Sequence, residues 1–267
     1  MKKIVIALTA VAAMTGSALA ADMAPRAYTK AAPMVAPVAN WTGCYIGGGG
    51  GYGMWNQENT GYTDPVGGPR VQVTDTFTNG GRGYFGTVQG GCDYQFSLGT
   101  WQMVVGAFGD YDFADIHGRR NDIVRNGIGD EKLSSQWAFG GRVGALITPS
   151  LLTYFVGGYT EAKFDRTNYT NAFGPPFGIP TNVYTDSATH KGYFIGAGDE
   201  YALSFLPGLF WKTEYRASLF DRQTQVTRFT ANGLPNGESY DTKKWEHSVR
   251  SELVYRFNWG GAVVAKY

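Results

Sequence analysis

The sequence lacks a run of apolar residues long enough to cross a membrane as a helix. Residues Ile4–Ala13 carry no charge, but a spanning helix needs about 20 apolar residues, and no later stretch comes close. Only helices and closed β-barrels satisfy every backbone polar group in lipid. If this chain enters a membrane, we therefore expect a barrel.

Several functional signatures are also missing. The formal net charge of +1 gives no indication of a nucleic-acid partner, which usually leaves a strongly basic patch or face. The glycines at Gly47–Gly51 lack the GK[ST] ending of a phosphate-binding loop. We find no GxSxG, HExxH or calcium-loop spacing. These absences predict a protein with no cofactor, no metal site and no enzyme activity.

The N-terminal residues carry the features of a secretory signal peptide. Lys2 and Lys3 precede the apolar run, and Ala18 and Ala20 are small residues at the −3 and −1 positions of a cleavage site. We assign residues 1–20 to this peptide. Residues 21–40 contain three prolines among alanines and are predicted to be an extended periplasmic linker. The third unit covers residues 41–267.

From Trp41 onward the polarity of the chain alternates with a period of two. Between Tyr84 and Phe96 the even positions are apolar or small and most odd positions are polar, which is typical of a two-faced strand. Seven similar segments include Gly43–Met54 and stretches beginning near residues 101, 136, 154, 193, 211 and 249. In the segment near residue 154, we expect Tyr154 and Val156 to face lipid.

The connections between these segments alternate in length. Short ones lie near residues 97–99, 148–150 and 205–208, and long polar ones lie near 56–82, 114–132, 165–188 and 221–244. All 11 prolines lie outside the segments, as central strands require. This pattern predicts an all-β fold, an eight-stranded antiparallel up-and-down transmembrane β-barrel with four long outer loops and three short periplasmic turns.

The polar face of the segments is rich in charges of both signs. We predict that the following residues line the lumen: Asp93, Asp110, Asp112, Arg142, Glu161, Lys163, Glu200, Lys212, Glu214, Arg216, Arg250, Glu252 and Arg256. An eight-stranded barrel is just wide enough for side chains to fill it, so these charges should pair and close the lumen. A narrow ion path is the alternative interpretation. Their spread over many strands argues against acid–base catalysis.

Tryptophan lies near the ends of the segments, as in the aromatic girdles of outer-membrane barrels. We predict a girdle formed by Trp41, Trp101, Trp137, Trp211, Trp245 and Trp259. One residue fits this arrangement poorly, because Asp199 falls on the predicted lipid face near the periplasmic end.

The two cysteines and three histidines allow further hypotheses. Cys44 and Cys92 fall at similar depth on adjacent antiparallel strands, so they form either a disulfide or two buried thiols. His117, His190 and His247 all fall at the outer end, where they could bind a metal or haem, or be three unrelated residues.

The stretch Asn40–Gly48 resembles the opening strand of the porin-family outer-membrane β-barrel proteins of α-proteobacteria, often described as surface antigens. Lys212–Tyr215 and Leu253–Trp259 look like the seventh and last strands of that family, and Glu200–Tyr201 looks like part of its sixth. The resemblance implies a barrel similar to the OmpA membrane domain, with roles in envelope integrity and surface contact. The chain departs from the family because Gly260–Lys266 extends past Trp259.

The leading functional hypothesis is a structural outer-membrane protein with surface-exposed loops. Its expected partners are outer-membrane lipid, lipopolysaccharide, the barrel-assembly machinery and a surface ligand of unknown nature. The alternatives are a small diffusion porin, a haem- or ligand-binding surface receptor, and a soluble β-sandwich. The sandwich leaves the alternation of long and short connections unexplained.

Overall fold

The protein is an all-β antiparallel structure. A computed structural model describes residues 39–65, 67–122, 127–172 and 178–257. In these ranges the strands are β1 (Gly43–Thr63), β2 (Val71–Gln72), β3 (Phe77–Leu98), β4 (Trp101–Asp122), β5 (Gly127–Thr148), β6 (Leu151–Phe164), β7 (Thr167–Asn171), β8 (Pro180–Thr185), β9 (Ala188–Ala202), β10 (Leu209–Phe220), β11 (Gln223–Phe229) and β12 (Pro235–Phe257). No helix in the described ranges is long and apolar enough to cross a membrane.

Eight of these strands pair in a closed sequence. The order is β1–β3–β4–β5–β6–β9–β10–β12, and β12 pairs back onto β1 from Cys44 opposite Phe257 to Thr63 opposite Glu238. Each pairing is antiparallel and joins strands that follow one another in this up-and-down order. We call these eight strands the strand ring. Its closure leaves no unpaired edge among them.

The shorter strands extend the ring at one end. β7 follows β6 after two residues, β8 precedes β9 by two residues, and β11 follows β10 after two residues. There β7 pairs with β5 and β8, and β11 pairs with β8 and β12. The same neighbours therefore continue past three short breaks. The twelve-stranded sheet therefore consists of the eight ring strands, their continuations β7, β8 and β11, and the small additional strand β2.

The two ends of the ring differ in their connections. At the turn end, two residues join β3 to β4 and β5 to β6, and residues 203–208 join β9 to β10. Gly99 and Gly208 adopt positive φ values of 63° and 85° there, which glycine accepts without strain. At the opposite end, which we call the loop end, the connections are longer.

The prediction of four long loops is corrected by the structure, because most of their residues lie in strands. β1 continues to Thr63 and β3 begins at Phe77, while β4 and β5 are separated only by residues 123–126. β7, β8, β11 and the start of β12 occupy much of the other two predicted loops. The alternation test missed these extensions because both faces of the strands are polar there. Backbone pairing does not require an apolar face.

Side chains alternate between the two sides of the ring wall. In β3, Val88 and Tyr94 face outward and are exposed, whereas Gln89 and Asp93 face inward and are buried. The inward side also holds two apolar clusters, one around Tyr45, Phe108 and Phe194 and one around Trp55, Phe85 and Phe164 in the loop half. The core of this protein is therefore a column of mixed polar and aromatic side chains inside the ring.

The face predicted for β6 is wrong. Tyr154 and Val156 point into the ring and are buried, while Phe155 between them is exposed. Tyr154 donates a hydrogen bond to Glu214, at 2.9 Å from Oη to Oε2, on the inside. Apolar residues occur at both odd and even positions here, so the sequence pattern did not determine the face.

Candidate functional site: the charged interior of the strand ring

Four buried charges form a compact cluster in the turn half of the ring. This lower charge cluster consists of Asp93, Arg142, Glu200 and Arg256, all of which were predicted to line the lumen. Arg142 donates from Nη1 to Glu200 at 2.7 Å and from Nε to Asp93 at 2.8 Å. Arg256 donates from Nη2 to Glu200 at 2.6 Å and from Nη1 to Asp93 at 2.5 Å. Each guanidinium therefore binds both carboxylates, and the cluster is neutral overall.

The lower charge cluster crosses the full width of the ring. In the pairing order, β3 with Asp93 lies four strands from β9 with Glu200, and β5 with Arg142 lies four strands from β12 with Arg256. In a ring of eight, a separation of four strands is the opposite wall. Both pairs of like-charged residues thus come from opposing walls, and their opposite charges meet in the middle.

A second group, the upper charge cluster, lies next to the first. It comprises Asp110, Asp112, Lys212, Glu214, Arg216, Arg250 and Glu252, again all predicted. Arg216 on β10 approaches Asp110 on the opposite strand β4 at 2.7 Å, and Arg250 approaches Asp112 at 3.0 Å. Lys212 lies 3.1 Å from Glu214 and donates to Gln89 at 2.8 Å. A stack of paired charges therefore occupies consecutive levels of the interior.

Trp41 is a correction to the predicted girdle. It is fully buried at the turn end, where its ring lies 4.7 Å from that of Phe210 and 5.1 Å from the guanidinium carbon of Arg256. Its carbonyl oxygen accepts a hydrogen bond from Arg256 Nη1 at 3.2 Å. Trp41 precedes β1, so strand alternation does not fix its side, and burial beneath the charges removes a large apolar surface from water.

Glu161 and Lys163 are the second correction. Both are on the outer side of β6, with Ala162 and Phe164 buried on the inner side. Glu161 accepts a hydrogen bond from Tyr159 at 2.7 Å and lies 3.9 Å from Lys191. These residues lie toward the loop end, where the outer side is polar. A charge there can face water, so charge alone does not identify the inner face.

Sequence reasoning missed a further set of inward charges in the loop half. Lys244 lies 2.8 Å from Glu131, which lies 3.4 Å from Arg120, and all three are buried. In β4 the even positions that bring Asp112 inward continue unbroken to Arg120, so the alternation could have identified it. It could not have identified Glu131, because a bulge between Leu133 and Ser135 shifts the alternation of β5.

The outer side of the ring carries a continuous apolar belt. On each ring strand the outward residues are mostly apolar or glycine over residues 44–54, 84–98, 101–113, 137–148, 151–159, 193–202, 209–219 and 245–257. These stretches match or slightly exceed the roughly 9–11 residues that a tilted spanning strand needs. Exposed apolar residues in a continuous band require an apolar environment, since soluble monomers rarely expose patches of this size.

Four tryptophans of the predicted girdle lie at the borders of this belt. Trp101 and Trp211 are exposed near the turn end, and Trp137 and the half-buried Trp245 lie near the loop end. Trp259, like the predicted signal peptide, most of the linker and the tail after it, lies outside the described residues. A girdle of four tryptophans remains our interpretation of this placement.

Two outward features lie toward the turn end of the belt. Cys44 and Cys92, opposite one another on β1 and β3, are joined by a disulfide, so the alternative of two buried thiols does not apply. Asp199 is outward, as its position in the alternation indicated. It accepts a hydrogen bond at 2.5 Å from Thr153, its cross-strand neighbour on β6.

The structure does not bring the three histidines together. His190 is fully buried inside the ring, whereas His117 and His247 are on the outer side of β4 and β12. His247 Nδ1 lies 2.7 Å from Tyr215 Oη. Within the described ranges, no group of three or more His, Cys, Asp or Glu side chains has the geometry to hold a metal ion. A shared metal or haem site of these histidines is not supported.

His117 belongs to a surface cluster on the loop side of the apolar belt. Its Nδ1 lies 2.7 Å from Asp130 and its Nε2 lies 3.1 Å from Asp115, which also pairs with Lys132 at 2.6 Å. The hydrogen bond to Asp130, followed by that to Asp115, raises the pKa of His117 above its usual value. The pKa of Asp115 is lowered, chiefly by Lys132 and then by His117.

The chain is similar in sequence to curated outer-membrane proteins. It is 29% identical to the 31 kDa outer-membrane immunogenic protein of Brucella melitensis over 268 aligned positions, covering 96% of this chain and 100% of that protein. The protein of the same name from Brucella suis gives the same values. No protein-family model matches the chain.

Two solved structures show a distant likeness to the chain. OprG of Pseudomonas aeruginosa is 10% identical, with a TM-score of 0.44 over 82% of this chain and 99% of that chain. Ail of Yersinia pestis is 13% identical, with a TM-score of 0.28 over 79% of this chain and 99% of that chain. At these scores the solved structures carry no conclusion about this chain.

The full-length sequence similarity to outer-membrane proteins and the apolar belt both indicate that the protein lies in a membrane. An exposed apolar band around a ring of paired strands suits lipid and not water. The protein is located in the cell outer membrane.

Proposed function

We propose that this protein is a structural component of the outer membrane whose eight ring strands form a closed barrel with a filled interior. In this proposal the barrel conducts little, contributes to envelope integrity and presents its loop end for surface contact. The apolar belt crosses the bilayer, the turn end faces the periplasm, and the loop end projects from the cell surface.

One observation carries the proposal. Asp93, Arg142, Glu200 and Arg256 meet in the middle of the ring from two pairs of opposite walls, with contacts of 2.5–2.8 Å. Ion permeation would have to break these contacts and leave buried charges without partners, which costs several kcal/mol per ion. The upper charge cluster and the buried ring of Trp41 obstruct further levels of the same path.

The same contacts argue against enzyme activity. Glu200 and Asp93 are each held by two guanidiniums, so neither is available as a general acid or base in the way that catalysis requires. We therefore assign the interior carboxylates a structural role. The similarity to immunogenic proteins of Brucella favours exposure of the loop end to the surroundings of the cell.

Planar-bilayer conductance tests the proposal directly. We expect the refolded wild-type protein to show no steady steps on the nanosiemens scale. Replacing both clamping residues, Arg142→Ser with Arg256→Ser, should open the lower level and raise conductance. The matched control is Lys163→Ser with Lys191→Ser, which removes the same charge from the outer side and should leave conductance unchanged.

Steady nanosiemens steps from wild-type protein would overturn the filled interior and support a diffusion porin. Each variant is first checked for a faster-running band in unboiled samples on a gel, which reports a folded barrel. A chain that gives no such heat-dependent shift would contradict the closed barrel itself.

A further inference from the structure

A groove on the outer side of the ring crosses three neighbouring strands. It has a volume of about 480 Å³ and is lined mainly by Val88 and Gly90 on β3, Gly109 and Tyr111 on β4, and Trp137 and Phe139 on β5. The glycines form its floor because they have no side chain. The aromatic rings form its walls, and the exposed lining is almost entirely apolar.

The depth of this groove places it in the loop half of the belt. Trp137 is the outermost belt residue of β5, and Gly90 lies near the middle of the belt on β3. At about 3.3 Å per residue, Val88 lies about 20 Å along β3 from Arg82. With a usual strand tilt of about 40°, that is about 15 Å of depth, half of the ~30 Å hydrocarbon core.

A basic surface lies directly beyond the same three strands. Arg82 is opposite His117, which is opposite Lys132, and Arg119 is two residues further along β4. His117 contacts the carboxylates of Asp115 and Asp130, and Lys132 pairs with Asp115. Neither Arg82 nor Arg119 has a hydrogen-bond or ion-pair partner among the described residues, and both are exposed.

We propose that this surface binds one phosphorylated glycolipid of the outer leaflet, of the lipid A type. Arg82 and Arg119 bind a phosphate at the membrane surface, and one acyl chain lies in the groove over Gly90 and Gly109. The inference rests on the proposed orientation of the barrel, and it names the site for the lipid partner.

The charge and the shape of the surface both favour this occupant. Arginine binds phosphate through several N–H groups at once, and here two guanidiniums are free to do so. A lipid with a neutral headgroup would leave them unpaired. A flexible acyl chain fits a shallow groove with a flat floor, and aromatic walls give it a large contact area.

Native mass spectrometry of the detergent-refolded protein tests the site with two defined probes. These are lipid A carrying two phosphates and lipid A from which the phosphates have been removed. We expect wild-type protein to retain one molecule of the phosphorylated form with at least tenfold higher affinity than the other form.

Two variants separate the headgroup from the acyl chain. Arg82→Gln with Arg119→Gln should abolish the preference for phosphate, whereas Arg222→Gln with Lys243→Gln removes the same charge elsewhere and should preserve it. Gly109→Leu should weaken binding of both probes at least fivefold. A Cβ at Gly109 would meet only Ala138 O at 3.6 Å, so the substitution should not disturb the fold.

Gly157→Leu is the matched control for the groove, since its Cβ would lie 3.5 Å from Phe194 O on the outer side of β6. Equal retention of the two probes by wild-type protein, or equal loss in the Arg82/Arg119 and control variants, would overturn the proposal. A lipid-free dimer that Gly109→Leu disrupts would also overturn it and assign the groove to a second copy. A normal heat-dependent gel shift in these samples shows that the protein is a folded barrel. A failure to bind lipid would then count against the lipid site and not against the barrel.

Discussion

Removing one carboxylate from the lower charge cluster should destabilise the protein strongly. In Glu200→Gln, Arg142 and Arg256 lose the carboxylate that both share at 2.7 and 2.6 Å, and Asp93 is left to balance the charge of two buried guanidiniums. Breaking a buried ion pair from one side costs about 3–5 kcal/mol. For an m-value of about 2 kcal/mol/M in urea, the unfolding midpoint should fall by about 1.5–2.5 M.

The assay is urea unfolding of the refolded protein, followed by the heat-dependent gel shift and by tryptophan fluorescence. Glu161→Gln provides the control, because this carboxylate is on the outer side and pairs with Lys191 only at 3.9 Å. An exposed pair of this kind contributes less than about 1 kcal/mol. The control also tests the corrected face of β6.

A compensating variant makes the reasoning sharper. Glu200→Gln combined with Arg142→Gln restores the balance of charge, so the double variant should lose less stability than the two single losses added together. Coupling of this kind is expected for residues within one ion-pair network. Equal midpoints for Glu200→Gln and Glu161→Gln would refute the claim that the lower charge cluster holds the ring together.

Three further predictions concern other parts of the ring. Reducing the bond between Cys44 and Cys92, which closes a loop of 48 residues, should lower the free energy of unfolding by up to about 4 kcal/mol, as measured by urea unfolding with and without reductant. Gly198→Ala should cost about 1–3 kcal/mol in the same assay, because the new methyl group would lie 2.6 Å from the hydroxyl oxygen of a buried tyrosine. The raised pKa of His117 means that its contact with Asp130 stabilises the fold below the unfolded pKa of about 6.5 and is lost as pH rises through the folded pKa. Histidine NMR should show a lower pKa for His117 in Asp130→Asn.

Each of these predictions has a matched control. The serine double variant of the two cysteines should be insensitive to reductant. Gly157→Ala places a methyl group in ordinary contact and should change stability by less than about 0.5 kcal/mol. Glu161→Gln, which removes a carboxylate that pairs with Lys191 and not with His117, should leave the His117 titration as it is, unlike Asp130→Asn. An unchanged His117 titration in that variant would contradict the assigned cause of the shift.

Period-two alternation predicted much of the ring from the sequence because a spanning strand has two different environments. In β12, Arg250, Glu252 and Arg256 alternate with Val249, Leu253 and Tyr255, and the structure places the first set inside and the second outside. Such a strand has one face toward lipid and one toward the interior, so a shift of one residue would expose charges to lipid. The order of polar and apolar residues in such a strand therefore determines its register.

The same logic fails where the environments no longer differ. Beyond the belt both sides of the wall are polar, so Gln57 inside and Glu58 outside do not differ in polarity. The polarity pattern therefore predicted an end for β1 near residue 54, short of its actual end at Thr63. On β6 we assigned Glu161 and Lys163 to the inner face because a charged side chain avoids lipid. That assignment holds only for residues within the belt. Both residues lie beyond the belt, and their side chains point outward.

Partner choice inside the ring cannot be obtained from alternation at all. Asp93 and Glu200 are 107 positions apart and come from opposite walls, so their meeting depends on the stagger between strands and on the diameter of the ring. The sequence indicates only that opposite charges face the same enclosed space. The contacts between each guanidinium and each carboxylate are set by the pairing register of all eight ring strands, from β1 through β12.

In the proposed function, a filled interior also limits where the protein can act. Because Asp93, Arg142, Glu200 and Arg256 satisfy one another across the ring, the lower charge cluster offers no free charge to a solute. Unpaired basic groups are instead found outside, at Arg82 and Arg119, beside an apolar groove. In this proposal the charges that would select ions in an open pore make the ring rigid, and recognition is left to the outer wall and the loop end. A rigid ring with a fixed outer surface suits contacts with lipid and with the cell's surroundings.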